Sequence, residues 1–242
     1  MNWQRFLRKC KAGVDIINAK AQPSFSQVGE DVIVHFLLRE LRIDRPAYLD
    51  IGTNLPVAGN NTYFFYNKGF SGVCIEPDPE LYQLIKKERP RDTVLNAGIG
   101  LQGDSSAPLY IFPHPFTGWN TFSRSEAKKR EQESGIKIKE EKITPLKTIN
   151  GVIAEYFERW PNFISIDVEG LDLEILRTLD FSKYQPEVIC AETVEFNPNG
   201  PREKIGEIGA FLVEQGYFVF ADTFVNTIFC RKDIFGALKH KQ

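Results

Sequence analysis

Tyr48-Leu49-Asp50-Ile51-Gly52-Thr53-Asn54 is an apolar run that stops abruptly at an acid, a glycine and an amide. Residues 47–51 read as a short buried strand, ended at Gly52 because glycine takes backbone angles closed to other residues and lets a ligand approach the main chain. About two dozen residues on, Ser71-Gly72-Val73-Cys74-Ile75 ends at Glu76, in the manner of the acid that receives ribose hydroxyls in nucleotide-binding sheets. The two strand ends are expected side by side. A dinucleotide site needs G-x-G-x-x-G to admit a pyrophosphate, whereas residues 50–59 hold only Gly52 and Gly59. The ligand implied has a ribose and no diphosphate, which fits S-adenosylmethionine better than NAD.

Composition bounds the rest. The chain has 242 residues, enough to bury one sizeable core, and is expected to be a single domain over 1–242 with a helical N-terminal segment (1–45) and an insertion (105–145). Thirty Lys and Arg against 32 Asp and Glu leave a net charge of −2, which gathers neither nucleic acid nor an anionic membrane. Cys10, Cys74, Cys190 and Cys230 are far apart and form no C-x-x-C pair, so they read as thiols of a cytoplasmic protein. No run of about 18 apolar residues is present to span a bilayer. Residues 1–20 are basic and weakly amphipathic without the apolar core of a secretory signal, and read as a surface helix.

Along the chain, Val32, Ile33, Phe36, Leu37 and Leu41 mark one face of a helix ahead of the first strand. Glu30 and Asp31 at its start suit the positive helix end or the edge of a ligand, and Gln27 has no comparable structural role. Asn61 is expected to cap a helix over 62–68 that Gly69 ends, and Asp78 with Pro79 to open the helix after Glu76. A third strand over 93–97 ends at Asn96 and Ala97, a fourth over 163–167 at Asp167, and a fifth over 188–192 at Glu192. Between the third and fourth lie a strand over 109–112, a loop over 114–120 and a mixed-charge stretch over 124–142 that reads as a solvated helix and hairpin, with a cover over the substrate as the other reading of the inserted segment. A helix over 201–215 and strands over 217–221 and 227–230 close the set. Acids or amides thus end all five strands, at the crevice where open α/β sheets hold ligands.

This pattern resembles the Rossmann-like class I methyltransferase fold, an α/β sheet of seven mostly parallel strands with the last antiparallel and helices on both faces. Ser26-Gln27-x-Gly29-Glu30-Asp31, Leu49-Asp50-Ile51-Gly52, Asn61-Thr62-Tyr63, Gly72-Val73-x-Ile75-Glu76-Pro77, Asn96-Ala97-x-Ile99-Gly100 and Ile166-Asp167-Val168-Glu169-Gly170 together resemble the ordered motifs of the FkbM-type methyltransferases over about 26–195. The resemblance implies that Asp50, Gly52 and Asn54 surround the methionine part of S-adenosylmethionine. It also implies that Glu76 takes the ribose hydroxyls, that Asn96 and Ala97 border the adenine, and that Asp167 and Glu169 stand at the reacting end. Gln27 and Asp167 complete the expected cofactor set. Leu55-Pro56-Val57-Ala58-Gly59 replaces a glycine-rich first loop. Members of the family mostly methylate hydroxyls of sugars or secondary metabolites, so the resemblance implies a saccharide or other small-molecule acceptor.

Methyl transfer to an alcohol calls for in-line positioning and for a base. Glu169 is the favoured base, with Asp167 and His114 as the other catalytic candidates and Glu192 behind them. The acceptor is expected between the mouth of the fourth strand and residues 113–142, where His114, Phe116, Trp119 and Asn120 cluster in sequence. No metal is expected, because no spacing among Asp167, Glu169, Glu192 and Glu195 demands one, although Mg²⁺ held by those oxygens is the competing mechanism. Two other classes stay open: a module that binds the cofactor without transfer, and an NAD-linked oxidoreductase that lacks the usual glycines. Retention of S-adenosylhomocysteine or of NAD separates them.

Overall fold

The computed structural model describes residues 23–103, 105–194 and 203–239. A helix α1 (Glu30–Glu40) precedes β1 (Tyr48–Ile51), α2 (Tyr63–Asn67), β2 (Gly72–Ile75), α3 (Pro79–Glu88) and β3 (Thr93–Leu95). The chain continues through β4 (Gly98–Ile99), β5 (Ser105–Ile111), a short 3₁₀ turn (Thr117–Trp119), α4 (Arg124–Ser134) and β6 (Glu140–Lys147). It closes with α5 (Ile149–Tyr156), β7 (Phe163–Ile166), α6 (Asp172–Thr178), β8 (Val188–Glu192), α7 (Gly206–Glu214), β9 (Tyr217–Asp222), β10 (Asn226–Arg231) and α8 (Lys232–Lys239).

The main sheet has seven strands in the order β3-β2-β1-β7-β8-β10-β9. β10 runs antiparallel to both of its neighbours, and the pairings among β3, β2, β1, β7 and β8 are parallel. This is the expected class I methyltransferase sheet. β1 is central because both its faces are covered, and all four of its residues are buried. Leu49 and Ile51 pack with α5 and α6 on one face, while Tyr48 packs with Phe65 of α2 and Leu37 of α1 on the other. Two covered faces explain why the strand reads as an unbroken apolar run instead of an alternation.

Several local expectations shift. Asn60, not Asn61, caps α2, its Oδ1 accepting from the N–H groups of Thr62 (2.9 Å) and Tyr63 (2.7 Å). β3 stops at Leu95 because the Asn96 amide turns back to donate to the carbonyls of Glu76 and Pro77, both at 3.0 Å. Asp78 does cap α3, accepting from Glu80 N at 2.8 Å. Glu30 and Asp31 are both buried and line none of the cavities at the strand ends. The Asp31 carboxylate gathers Phe25 N (2.6 Å) and Ser24 Oγ (2.7 Å), and Glu30 receives Thr223 Oγ1 (2.7 Å) and Asn226 Nδ2 (3.0 Å) from the terminal hairpin. The helix expected from Pro201 begins at Gly206, while Pro201 itself, Cys10, Glu195 and residues 1–20 lie outside the described residues.

The insertion builds a second sheet, β4-β6-β5, in which β5 and β6 pair antiparallel over their whole length. α4 bridges them, capped by Ser123 and ended by Gly135 at φ 75°. Its charges are solvated as expected, with one exception, Arg130, which is only 1% exposed. Among the described residues no helix is long and apolar enough to cross a membrane.

Candidate functional site

The end of β1 is fixed by backbone. Gly52 N and Thr53 N both donate to the Ile75 carbonyl, at 3.0 and 3.1 Å, which draws the turn over β2. Gly52 has φ +80°, and a Cβ there would stand 1.9 Å from the Asp167 carbonyl oxygen, so no other residue fits. Asn54, also left-handed at φ 53°, donates its N–H to Glu76 Oε2 at 2.7 Å, and Asp78 N donates to Glu76 Oε1 at 2.8 Å. Burial nevertheless pushes the Glu76 carboxyl up to about 8, against the lowering effect of those two N–H groups. Glu76, Gly52 and Asn54 line a cavity of about 110 Å³ with Pro77, Ile99 and Phe122.

Asp50 faces elsewhere. Its Oδ2 accepts from Thr62 Oγ1 (2.7 Å) and Asn60 Nδ2 (3.1 Å), and the buried Arg89 guanidinium lies 3.7 Å away. Arg89 also meets Asp92 at 2.7 Å and Thr62 Oγ1 at 2.8 Å. Breaking such a buried pair by removing one partner costs about 3–5 kcal/mol. Asp50 is thus first an anchor of the loop from β1 to α2.

A second cavity, of about 220 Å³, adjoins the first and shares Gln27, Gly52, Asn54 and Asp167 with it; Asp50, Thr53, Asn60, Asn61 and Ser165 complete its polar lining. Asp167 ends β7 with Oδ1 buried and unbonded. Burial, then the neighbouring Glu192 and Glu169 carboxylates, push its carboxyl well above the usual range, with Arg130 opposing. The turn after β7 is shaped by Asp172, which accepts from Val168 N (3.2 Å) and Gly170 N (3.4 Å) and whose own carboxyl burial raises to about 6. That turn holds Glu169 at φ 59°, a conformation uncommon outside glycine and concentrated at functional sites. Arg130 Nη2 donates to Glu169 Oε2 at 2.8 Å and Arg130 Nη1 to the Trp119 carbonyl at 2.8 Å, so α4 of the insertion grips the β7 turn.

A third cavity, also about 220 Å³, opens on the other side of Glu169, beneath α4, and is lined by Glu126, Lys129, Arg130 and Glu192 among others. Oxygens of Asp167, Glu169 and Glu192 lie within 4.8 Å of one another. The fold therefore gathers the carboxylates whose sequence spacing demanded nothing, and these are the residues that could hold a divalent cation through hard oxygen donors.

The insertion also closes the first cavity. Thr117 Oγ1 donates to Asn54 Oδ1 at 3.1 Å, and Asn120 Nδ2 donates to Asp78 Oδ2 at 3.1 Å, latching the 3₁₀ turn across the ends of β1 and β2. Trp119 packs at a tilt on Phe116, ring centres 4.6 Å apart, and meets Phe112 edge-on at 5.8 Å. These rings anchor the insertion and line none of the three cavities.

Of the expected site residues, Gln27, Asp50, Gly52, Asn54, Glu76, Asp167 and Glu169 come together at the strand ends. Three do not. His114 sits exposed at the far end of the insertion loop, Ala97 is buried behind the cavity wall, and the Asn96 amide is spent on backbone carbonyls. The wall expected of Asn96 and Ala97 is made by Pro77, Ile99, Leu109 and Phe122. Ile99 lies two residues beyond the expected position, while nothing in the sequence signals Leu109 or Phe122, because their place depends on how the insertion folds.

The chain matches the family model described as the methyltransferase FkbM domain over residues 50–219. Among curated proteins no match is found. Solved structures similar to it include an O-methyltransferase from Bacillus cereus in complex with S-adenosylhomocysteine (13% identity, 90% of this chain and 88% of that one, TM-score 0.40). Others are the magnesium protoporphyrin IX methyltransferase of Synechocystis (10%, 84% and 80%, 0.41) and the 1,6-didemethyltoxoflavin-N1-methyltransferase of Burkholderia thailandensis (12%, 94% and 84%, 0.40).

Proposed function

Because the chain belongs to the FkbM family of S-adenosylmethionine-dependent methyltransferases, we propose that its acceptor is a hydroxyl, carried by a sugar or glycosylated small molecule, and that Glu169 is the general base. The observation that carries this reading is the position of Glu169, which lines both the cavity next to Glu76 and the cavity beneath α4. A group between two cavities meets an acceptor from one and a cofactor from the other. Bound S-adenosylmethionine would supply an electrophilic methyl whose transfer to the acceptor oxygen breaks the carbon–sulfur bond and leaves S-adenosylhomocysteine, and the Glu169 carboxylate would take the hydroxyl proton.

The chain's own residues supply the positioning. Arg130 holds the Glu169 side chain toward α4, on a turn that keeps Glu169 at φ 59°. The cavity beneath α4 is lined by Glu126, Lys129 and Glu192 without an aromatic ring, so it offers donors and acceptors to a hydroxyl-rich molecule and no stacking face to a flat one. The aromatic surface expected to cover a sugar is not part of this reading, since Trp119 and Phe116 pack on each other. The covering role of 105–145 stays in it, carried by α4.

Labelled S-adenosylmethionine offered with panels of sugars, catechols, peptides and RNA tests the class. Label in the sugar panel, located on oxygen by NMR, is the expected result; label confined to peptide, RNA or catechol removes the proposal.

A further inference from the structure

Phe224, in the turn between β9 and β10, is an aromatic residue in a conformation that suits glycine: its φ is 74°, and it is 54% exposed. Left-handed angles are open to glycine and asparagine at little cost, whereas a bulky side chain there is an outlier of the kind that collects at functional sites. A lone exposed apolar residue is ordinary. One held exposed on a strained backbone calls for a reason.

The turn is tied down by hydrogen bonds. Phe224 N donates to Asp222 Oδ1 at 2.7 Å, the Lys204 ammonium donates to the Phe224 carbonyl at 2.9 Å, and Thr223 N donates to the Asn226 carbonyl at 2.9 Å. Lys204 Nζ also lies 6.0 Å from the centre of the Phe224 ring. This fixed turn adjoins the proposed acceptor site. Asn226 pairs with Glu192 across β10 and β8, Thr193 N donates to the Val225 carbonyl at 2.9 Å, and Glu192 gathers with Asp167 and Glu169 within 4.8 Å. Lys204 precedes Ile205, which lines the cavity beneath α4, while Phe224 itself is not part of that lining. The ring therefore stands outside the polar cavity, two residues from the strand partner of Glu192. The Glu30 carboxylate ties a second exposed apolar residue to the same rim. Its Oε2 accepts from Val28 N at 3.0 Å, and its Oε1 accepts from Thr223 Oγ1 at 2.7 Å and from Asn226 Nδ2 at 3.0 Å. Val28 is 57% exposed and follows Gln27, which lines the first two cavities.

We infer that Phe224, with Val28 on the adjoining loop, binds an apolar part of the acceptor, so that the acceptor is a glycoside with an alkyl or aryl aglycone and not a free sugar. The inference rests on the proposed function, in which the hydroxyl that is methylated reaches Glu169 in the cavity beneath α4. That cavity offers polar partners to sugar hydroxyls and none to hydrocarbon. An aglycone turned out of it stays in water unless an apolar surface meets it at the rim. Contact there removes apolar area from water on both sides, and the face of a phenylalanine ring accepts an alkyl chain as well as another ring.

Initial rates of methyl transfer from labelled S-adenosylmethionine to a panel of free hexoses and to their methyl, octyl and phenyl glycosides test this on the whole chain. For the hexose that takes label, kcat/KM for the octyl and phenyl glycosides is expected to exceed that for the methyl glycoside about tenfold or more. The gain should lie mainly in KM, because the aglycone is held equally in the ground and transition states. Phe224→Gly removes the ring at an angle that suits glycine, and is expected to reduce the preference to about a third of its wild-type value or less. Phe224→Tyr, which keeps the ring, is expected to preserve it. Equal kcat/KM for the three glycosides in the wild type overturns the inference while leaving the proposed function in place. So does label on the free hexoses alone, or a preference that survives in a folded Phe224→Gly. Sedimentation that finds a wild-type dimer and a Phe224→Gly monomer assigns the ring to a second copy of the chain and overturns it too. Label on none of these sugars overturns the proposed function and the inference with it. Should Phe224→Gly not fold, Phe224→Asn takes its place, since asparagine also enters the left-handed region.

Discussion

The ends of β1 and β2 and the ends of β7 and β8 face the same crevice, and they are built in opposite ways. At β2 both Glu76 oxygens are taken by main-chain N–H groups, from Asp78 two residues on and from Asn54 on the adjoining β1 turn 22 residues back, and both bonds stand before anything binds. At β7 and β8 three carboxylates crowd within 4.8 Å. The nearest guanidinium, Arg130, comes from α4, an insertion folded on its own second sheet. The first end is preorganised by the backbone of two adjoining strand ends, which is what recognition of an invariant cofactor would require on the proposed reading. The second depends on a remote element, and a remote element can differ between family members without disturbing the cofactor. Cofactor affinity and turnover are therefore expected to separate along this line.

The largest effect is expected where the two ends touch. Gly52→Ala puts a Cβ against the Asp167 carbonyl at 1.9 Å and imposes φ +80° on alanine, so β1 and β7 cannot keep their spacing. A loss of about 3–5 kcal/mol in denaturant unfolding is expected. Stability within about 0.5 kcal/mol of wild type would mean that the two strand ends are free to part, and the comparison would lose its hinge.

Next is the β7 side alone. Glu169→Gln keeps the shape and loses the basicity, so turnover should fall on the order of a hundred- to ten-thousand-fold with S-adenosylhomocysteine affinity nearly unchanged. Arg130 already brings a fixed positive charge to Glu169, and turnover is expected to persist in EDTA. Activity that vanishes with the chelator and returns with Mg²⁺ would make Asp167, Glu169 and Glu192 metal ligands and remove Glu169 as base.

What sequence reveals divides along the same line. The glycine that ends β1, the acid that ends β2 and the cap at Asp78 are each marked by the strand or helix that they adjoin, and so are legible from local chemistry. Arg130 is not. It sits in a charge run where periodicity marks a solvated face, and only the pairing of β5 with β6 turns that one guanidinium inward. Asn60 and Asn61 are equally good caps on paper, and what separates them is a contact between Asn61 and Ser165, 104 residues away. Phe122 and Leu109 join the wall of the first cavity for a similarly distant reason, while His114, close in sequence to both, stays outside.

On the β2 side, Glu76→Ala removes a charged acceptor for the ribose hydroxyls and leaves two N–H groups behind. S-adenosylhomocysteine should bind about 1.5–3 kcal/mol more weakly. Unchanged affinity in a folded variant would remove the ribose assignment, and with it the claim that this end is the cofactor's.

The smallest effect is a slope with pH, and it asks whether the β2 end is as dry as its geometry implies. Burial places the Glu76 titration at about 8 in the folded chain, against an ordinary 4.5 once unfolded. Between these values the folded state binds more protons than the unfolded one. The contribution of Glu76 to stability is therefore fully present below about pH 4.5 and is lost as pH rises towards 8. Glu76→Gln cannot titrate. Whatever fixed offset the substitution brings, the melting temperature of the variant relative to wild type should rise steadily across that window in the cofactor-free protein. S-adenosylhomocysteine should flatten the slope, because ribose hydroxyls donate to the ionised carboxylate and pull its titration back down. A difference constant with pH would show that water reaches Glu76 in the empty site. The β2 end would then be assembled by the cofactor, as the β7 end is assembled by α4, and the contrast between the two would narrow to the source of the partner.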